Sequence, residues 1–151
     1  MGHDKTDNTH PELILAKYIC DLSFDGVGDD AKLQISKMIF DAVSISIGAF
    51  NEKHASGLIN EDFILETNKR ENGPKLWSGR GSLPADLAAL CNGTWAEILD
   101  YQDVVVDPRN NGHLGVTIIP ATMAVAEREH SSGAELITAI AAGLEVAIAV
   151  L

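Results

Sequence analysis

Pro84-Ala85-Asp86-Leu87-Ala88-Ala89-Leu90-Cys91-Asn92-Gly93-Thr94-Trp95-Ala96-Glu97-Ile98-Leu99-Asp100-Tyr101-Gln102-Asp103 is the stretch on which the reading of this chain turns. Ala85 and Leu87 to Cys91 form a nearly continuous apolar surface, and Pro84, preceded by Ser82 and Leu83, suits a first helical position. The pattern predicts a helix from Pro84 that is largely buried and ends among acids. Glu97, Asp100 and Asp103 stand three residues apart, a spacing that gathers neighbours on one helical face. Like charges so placed cost about 0.2–0.5 kcal/mol per pair in isolated helices. Acids at a helix C-terminus also oppose its dipole, by about 0.3–1 kcal/mol. Local stability does not account for them. They are either a solvated acidic helix end or groups that a site requires. In an apolar setting, desolvation, mutual repulsion and the helix end all raise a carboxyl pKa towards the range where protons exchange near neutrality.

Downstream lies Asp107-Pro108-Arg109-Asn110-Asn111-Gly112-His113-Leu114-Gly115. Pro108 and the Asn-Asn-Gly run favour tight turns. His113 is thus expected on a loop, with glycines at 112 and 115 that let backbone approach a ligand closely. A lone loop histidine is as readily an ordinary surface residue. A calcium-binding EF-hand is excluded, because counting from Asp107 puts Arg109 and Ile118 where positions 3 and 12 need ligands. Asp100, Asp103 and His113 lack any recognised metal-ligand spacing.

Working outwards, the rest of the chain reads as helical. Ser132 and Glu135 form a Ser-x-x-Glu capping box. The run from Leu136 to Leu151 carries only Glu145 as a charge and is apolar nearly all round, which predicts burial on most sides. Its length approaches that of a membrane span, but Glu135, Glu145, the alanine content and the absence of basic flanks argue against one. The run reaches Leu151 without a stop signal, so the chain is read as the N-terminal part of a longer protein or a truncated product. Further helices are expected from Pro11 to about Leu22, capped by Thr9, and from Asp29 through Ile47. Others are expected around Leu58 to Asn68 and from Pro120 to about Glu129. Asn72-Gly73-Pro74 reads as a turn and Leu76-Trp77 as a brief extended piece. No segment keeps strand periodicity, so the region is all-α and a single domain at this length.

Residues 1–10 are polar and read as a disordered tail, without a secretory or transit pattern. Met1-Gly2 and Thr6 fit a myristoylation pattern that chance matches often. Cys20 and Cys91, each alone in an apolar helix, are expected to be buried thiols, consistent with a cytoplasmic protein. His3, His10, His54 and His130 belong to no constellation and read as surface residues.

The ordered motifs resemble the MmgE/PrpD family. Those that carry the likeness are Leu15-Ala16-Lys17-Tyr18, Asp41 to Ala49, and Gly79-Arg80-Gly81-Ser82-Leu83-Pro84-Ala85-Asp86-Leu87. Asn92-Gly93 with Asp100-Tyr101-Gln102-Asp103, then His113-Leu114-Gly115 and Val116 to Ala121, continue it. Ala124-Val125-Ala126-Glu127, Ser132 to Leu136 and Ala139 to Val146 complete it. The resemblance covers about residues 12 to 151 and is far more specific than any single motif.

It implies an all-α fold, the N-terminal part of the MmgE/PrpD helical domain over residues 11–151, with helices around an apolar core and the lid domain absent. It also implies a cofactor-independent lyase or isomerase acting on small polycarboxylic acids, as do 2-methylcitrate dehydratase, cis-aconitate decarboxylase and iminodisuccinate epimerase, and a cytoplasmic homodimer. Carried over residue by residue, it places Asp100 and His113 in the catalytic site with Asp103 beside them. Arg109 suits a carboxylate clamp by its bidentate geometry, or is simply a solvated loop cation. The chain departs from the family pattern at Glu97, where a histidine is common, and at Val104, where threonine is common. Its loop before His113 is also longer by a few residues.

Charge sets a constraint on any such substrate. The net charge is −11, and residues 81–151 carry two basic against nine acidic side chains. Nucleic acid and anionic membrane are poor partners for that surface. A tricarboxylate needs cations beyond those of this half. Two readings therefore stand: the helical half of a polycarboxylate enzyme, or a non-catalytic helical remnant that only dimerises.

Overall fold

A computed structural model describes residues 10–50, 60–106 and 111–150. The N-terminal tail, apart from His10, and the expected cap Thr9 lie outside the described residues, as do Asp107 and Arg109. Six α-helices carry the fold among the described residues: α1 (Pro11–Asp21), α2 (Asp29–Phe50), α3 (Glu61–Asn68), α4 (Ala85–Glu97), α5 (Gly115–Glu129) and α6 (Gly133–Val150). A two-stranded antiparallel ribbon, β1 (Val105–Val106) with β2 (Asn111–Gly112), pairs Val105 with Gly112 and Val106 with Asn111. All-α is therefore the correct class.

The core forms where α5 meets its neighbours. α4 packs along α5, α2 crosses α4, and α6 lies against α5 and α2. Ile35 and Ala42 of α2, Ile119 of α5 and Ile140 and Ala141 of α6 close one apolar cluster. Leu76, Leu83, Ala88, Cys91 and Ala124 close a second beneath the segment leading into α4. Ala49 and Trp95 close a third, where Phe50 meets Trp95 edge-on at 5.4 Å.

Two expectations about burial are corrected. α1 buries none of its residues: Leu13 and Ile19 are exposed, and Cys20 is an exposed thiol. α6 fully buries only Ile140, Ala141 and Ala142; Leu136, Ile137 and Leu144 are half-buried against the same cluster, and its C-terminal Ile148 and Val150 are exposed. α2 and α6 are both long and apolar enough to cross a membrane by length and hydropathy alone, at 1.3 and 1.8. α2 nevertheless turns Ile35, Ala42, Ile45, Ser46 and Ala49 into the protein interior.

Helix ends follow local chemistry. Ser132 and Glu135 make the expected reciprocal cap: the Ser132 N–H donates to Glu135 Oε2 at 2.7 Å, and the Glu135 N–H donates to Ser132 Oγ at 3.3 Å. The Ser132 N–H and the Ser132 hydroxyl both donate to Glu135 Oε2 and hold the Glu135 pKa below its usual value. Asn60 caps α3 through the Phe63 N–H. α4 starts one residue later than expected, with Pro84 just outside it. α5 starts five residues earlier, at Gly115, and runs through Pro120. A proline lacks the N–H that would bind the carbonyl four residues back, here that of Val116. Gly93 of α4 packs against that carbonyl, where an added Cβ would lie 3.0 Å from its oxygen. The close α4–α5 crossing thus occurs at the carbonyl that Pro120 leaves without its helical donor.

Candidate functional site

The Asn-Gly pair of α4 is structural at its first residue. Asn92 is buried; its Oδ1 accepts from the Trp77 N–H at 2.9 Å and its Nδ2 donates to the Lys75 carbonyl at 3.0 Å. It thereby pins the segment 75–77 onto α4. Sequence reasoning missed this clamp, because nothing local distinguishes a buried Asn from an exposed one.

The acids do not share one helical face. α4 ends at Glu97, and Asp100 takes a left-handed backbone conformation with φ 49°. A side chain at such a φ is uncommon except for Asn, Asp and His. This turn breaks the i, i+3 register and sends Gln102 and Asp103 back towards the start of α5. The Asp100 carboxylate is exposed and takes no hydrogen bond or ion pair among the described residues. Gln102 is buried, and its Nε2 donates to Glu97 Oε2 at 2.7 Å.

Asp103 is the joint of the arrangement. Its carboxylate accepts the Gly115 N–H at the start of α5 and fills the space that a Cβ at 115 would need. An anion at a helix N-terminus is favoured by the unpaired N–H groups and the dipole there. Burial still dominates, so the Asp103 pKa is held above the usual 3.8; the Gly115 N–H pulls it down and the nearby Asp41 charge pushes it up. Asp103 also borders a cavity of about 440 Å³ with Lys37 and Asp41 of α2.

The main chain of the same residue positions His113. The ring Nδ1 lies 2.8 Å from the Asp103 carbonyl oxygen. A carbonyl only accepts, so Nδ1 carries the proton and Nε2 is left for other partners. The β1–β2 ribbon ends at Gly112, so the paired strands present His113 beside the α5 N-terminus. The ring lines a cavity of about 520 Å³ between α4 and α5. Ala89, Leu90, Gly93 and Val116 form its apolar wall, and Thr94, Glu97 and Thr117 are its other polar residues.

The structure thus joins His113 to Asp103, and not through any bond to Asp100, which is not on the lining of this cavity. Arg109 lies outside the described residues. Glu97, which the sequence marked as one of the spaced acids and as a departure from the family pattern, shares the cavity with His113. No group of three or more potential metal-ligating side chains occurs among the described residues.

No curated protein and no solved structure matches the chain. The profile of the MmgE/PrpD N-terminal domain matches residues 14–151, spanning α1 from its second turn, the His113 cavity and α6. On that match the chain belongs to the MmgE/PrpD family.

Proposed function

We propose that the chain supplies the helical half of a cofactor-independent lyase or isomerase for small polycarboxylic acids. One observation carries the reading: the His113 ring is fixed through Nδ1 on the Asp103 carbonyl and lines the α4–α5 cavity with Nε2 available. An imidazole oriented by a carbonyl is set up to remove a proton through the opposite nitrogen. In this reading His113 Nε2 takes the proton α to a substrate carboxylate. The resulting carbanion-like species then loses water or carbon dioxide, or is reprotonated on the opposite face. Asp103 is a positioning residue for the ring. Asp100 is the second group of the site, and its strained backbone favours that role, since uncommon φ values cluster where function requires them. Arg109 is assigned to a substrate carboxylate on its chemistry alone.

The excess of acids in residues 81–151 means that further cations complete the substrate site. The same charge argues against nucleic acid or anionic membrane as a partner. Homodimer formation and a cytoplasmic setting complete the proposal; the exposed apolar residues of α1, Leu13, Ile14 and Ile19, support association. They support equally the second reading, a helical module that dimerises and performs no chemistry.

The test is turnover of 2-methylcitrate, cis-aconitate and iminodisuccinate by the full natural chain and by its His113→Ala variant. Loss of a positioned base costs about 10²–10⁴-fold. Equal turnover by the two proteins on an accepted substrate rejects His113 as the base. Absence of turnover on all three favours the non-catalytic reading.

A further inference from the structure

We infer that the His113 cavity recognises a hydrogen-bond donor on its substrate, a hydroxyl or amino group, through Glu97, and that the substrate's carboxylates point away from this wall. The inference rests on the function proposed above and narrows its substrate class.

The argument follows the protons. Four polar side chains line the cavity: Thr94, Glu97, His113 and Thr117. A threonine hydroxyl has one proton to donate and two lone pairs to accept. Thr94 Oγ1 donates its proton to the Leu90 carbonyl at 2.7 Å, and Thr117 Oγ1 donates to the Leu114 carbonyl at 3.0 Å. Both hydroxyls therefore offer only lone pairs to a ligand. His113 donates from Nδ1 to the Asp103 carbonyl, and in that tautomer Nε2 is an acceptor.

Glu97 is acceptor-only as a carboxylate. The Nε2 of buried Gln102 holds its Oε2 at 2.7 Å, while Oε1 takes no partner among the described residues. Behind it, the buried Oε1 of Gln102 also has no donor among the described residues. The polar part of the wall is thus a set of acceptors with no committed donor facing the ligand.

Such a wall repels a carboxylate and rewards an O–H or N–H. A substrate with both kinds of group is thereby oriented: its hydroxyl or amino group faces α4 and α5, and its carboxylates face the cations that complete the site. A polycarboxylate without a donor forgoes the hydrogen bond to these acceptors and is discriminated against by the value of that bond.

Citrate and tricarballylate provide a matched pair, differing in a single central hydroxyl. Calorimetric titration of the full natural chain is expected to show citrate binding at least about ten-fold more tightly, the value of one hydrogen bond to a charged acceptor. In Glu97→Ala the ratio is expected to fall within about threefold, chiefly by weaker citrate binding. Glu97 is exposed at the end of α4, and a thermal melt of the variant checks that its fold is intact. Equal binding of the two acids by the natural chain overturns the inference. So does a preference that survives in Glu97→Ala. Both results leave His113 as base untouched, since that role is read by turnover. Binding of neither acid also overturns the inference; if the three substrates named above are not turned over either, the proposed function falls with it.

Discussion

His113 Nδ1 and the Asp103 carbonyl oxygen lie 2.8 Å apart, while the carboxylate of the same aspartate holds the N–H of Gly115. One residue therefore fixes the histidine by its main chain and the start of α5 by its side chain. The orientation of the ring and the position of the helix are mechanically linked.

Gly115→Ala tests that link. A Cβ at 115 collides with the Asp103 carboxylate, so either the aspartate or the helix start must move. Overpacking of this kind costs about 1–3 kcal/mol, a fall in Tm of about 2–4 °C per kcal/mol for a chain of this size. The loss should be smaller when the same substitution is made in an Asp103→Ala background, because the colliding group is gone. A double-mutant cycle on Tm or denaturant midpoint measures the difference. Additive losses would mean that the carboxylate does not sit on Gly115.

The pH dependence of stability reports on Asp103 directly. Its pKa is higher in the folded chain than the usual 3.8, chiefly because burial disfavours the charged form. The folded state therefore binds this proton more tightly than the unfolded state does. The resulting stabilisation is complete below about pH 3.8 and is lost as pH rises through the folded pKa. Asp103→Asn keeps an acceptor for the Gly115 N–H but cannot ionise. Its Tm relative to the natural chain should thus rise between pH 3.8 and neutrality. A gap that stays constant across that window contradicts the raised pKa.

Asp100 offers a separation of stability from function. Glycine adopts a φ of 49° without the steric penalty of a side chain, at the expense of greater freedom in the unfolded chain. Asp100→Gly should therefore leave stability within about 1 kcal/mol of the natural chain. If the exposed carboxylate belongs to the site, turnover should fall at least about ten-fold at unchanged Tm. Turnover that is also unchanged removes Asp100 from the site.

Helix existence and helix start signals were readable from local sequence because their physics is local. The Ser132–Glu135 cap, the acidic start of α2 at Asp29 and Asp30, and the helical class all depend on residues within one turn of each other. The end of α4 was not readable, because a helical spacing of acids persists in the sequence after the backbone has left the helix at Ile98. The start of α5 was misplaced because Pro120 reads as a beginning. In the fold its missing donor is tolerated where Gly93 packs against the Val116 carbonyl. For the site, His113 was found by its flanking glycines. Its partner was not found, since a main-chain carbonyl leaves no trace in residue identity. Glu97 stands out in the sequence as one of the spaced acids and as a departure from a pattern, but its place in the cavity depends on the packing of α4 against α5.

Asn92 gives the sharpest stability prediction, because its two bonds have opposite polarity. Oδ1 accepts from the Trp77 N–H and Nδ2 donates to the Lys75 carbonyl, both with the side chain buried. Asn92→Asp preserves size and the acceptor but replaces the donor with an oxygen facing the Lys75 carbonyl. The buried charge and the unsatisfied carbonyl should together cost at least about 1–3 kcal/mol, more at neutral pH than at acidic pH. Protonation at low pH restores a donor, so the loss should shrink as pH falls through the pKa of the new carboxyl. Asn92→Ala lacks both bonds and should show no such recovery relative to the natural chain. Thermal melts of the two variants from pH 4 to 7 separate these outcomes. Parallel losses for Asp and Ala across that range would show that the segment 75–77 is not held by the amide.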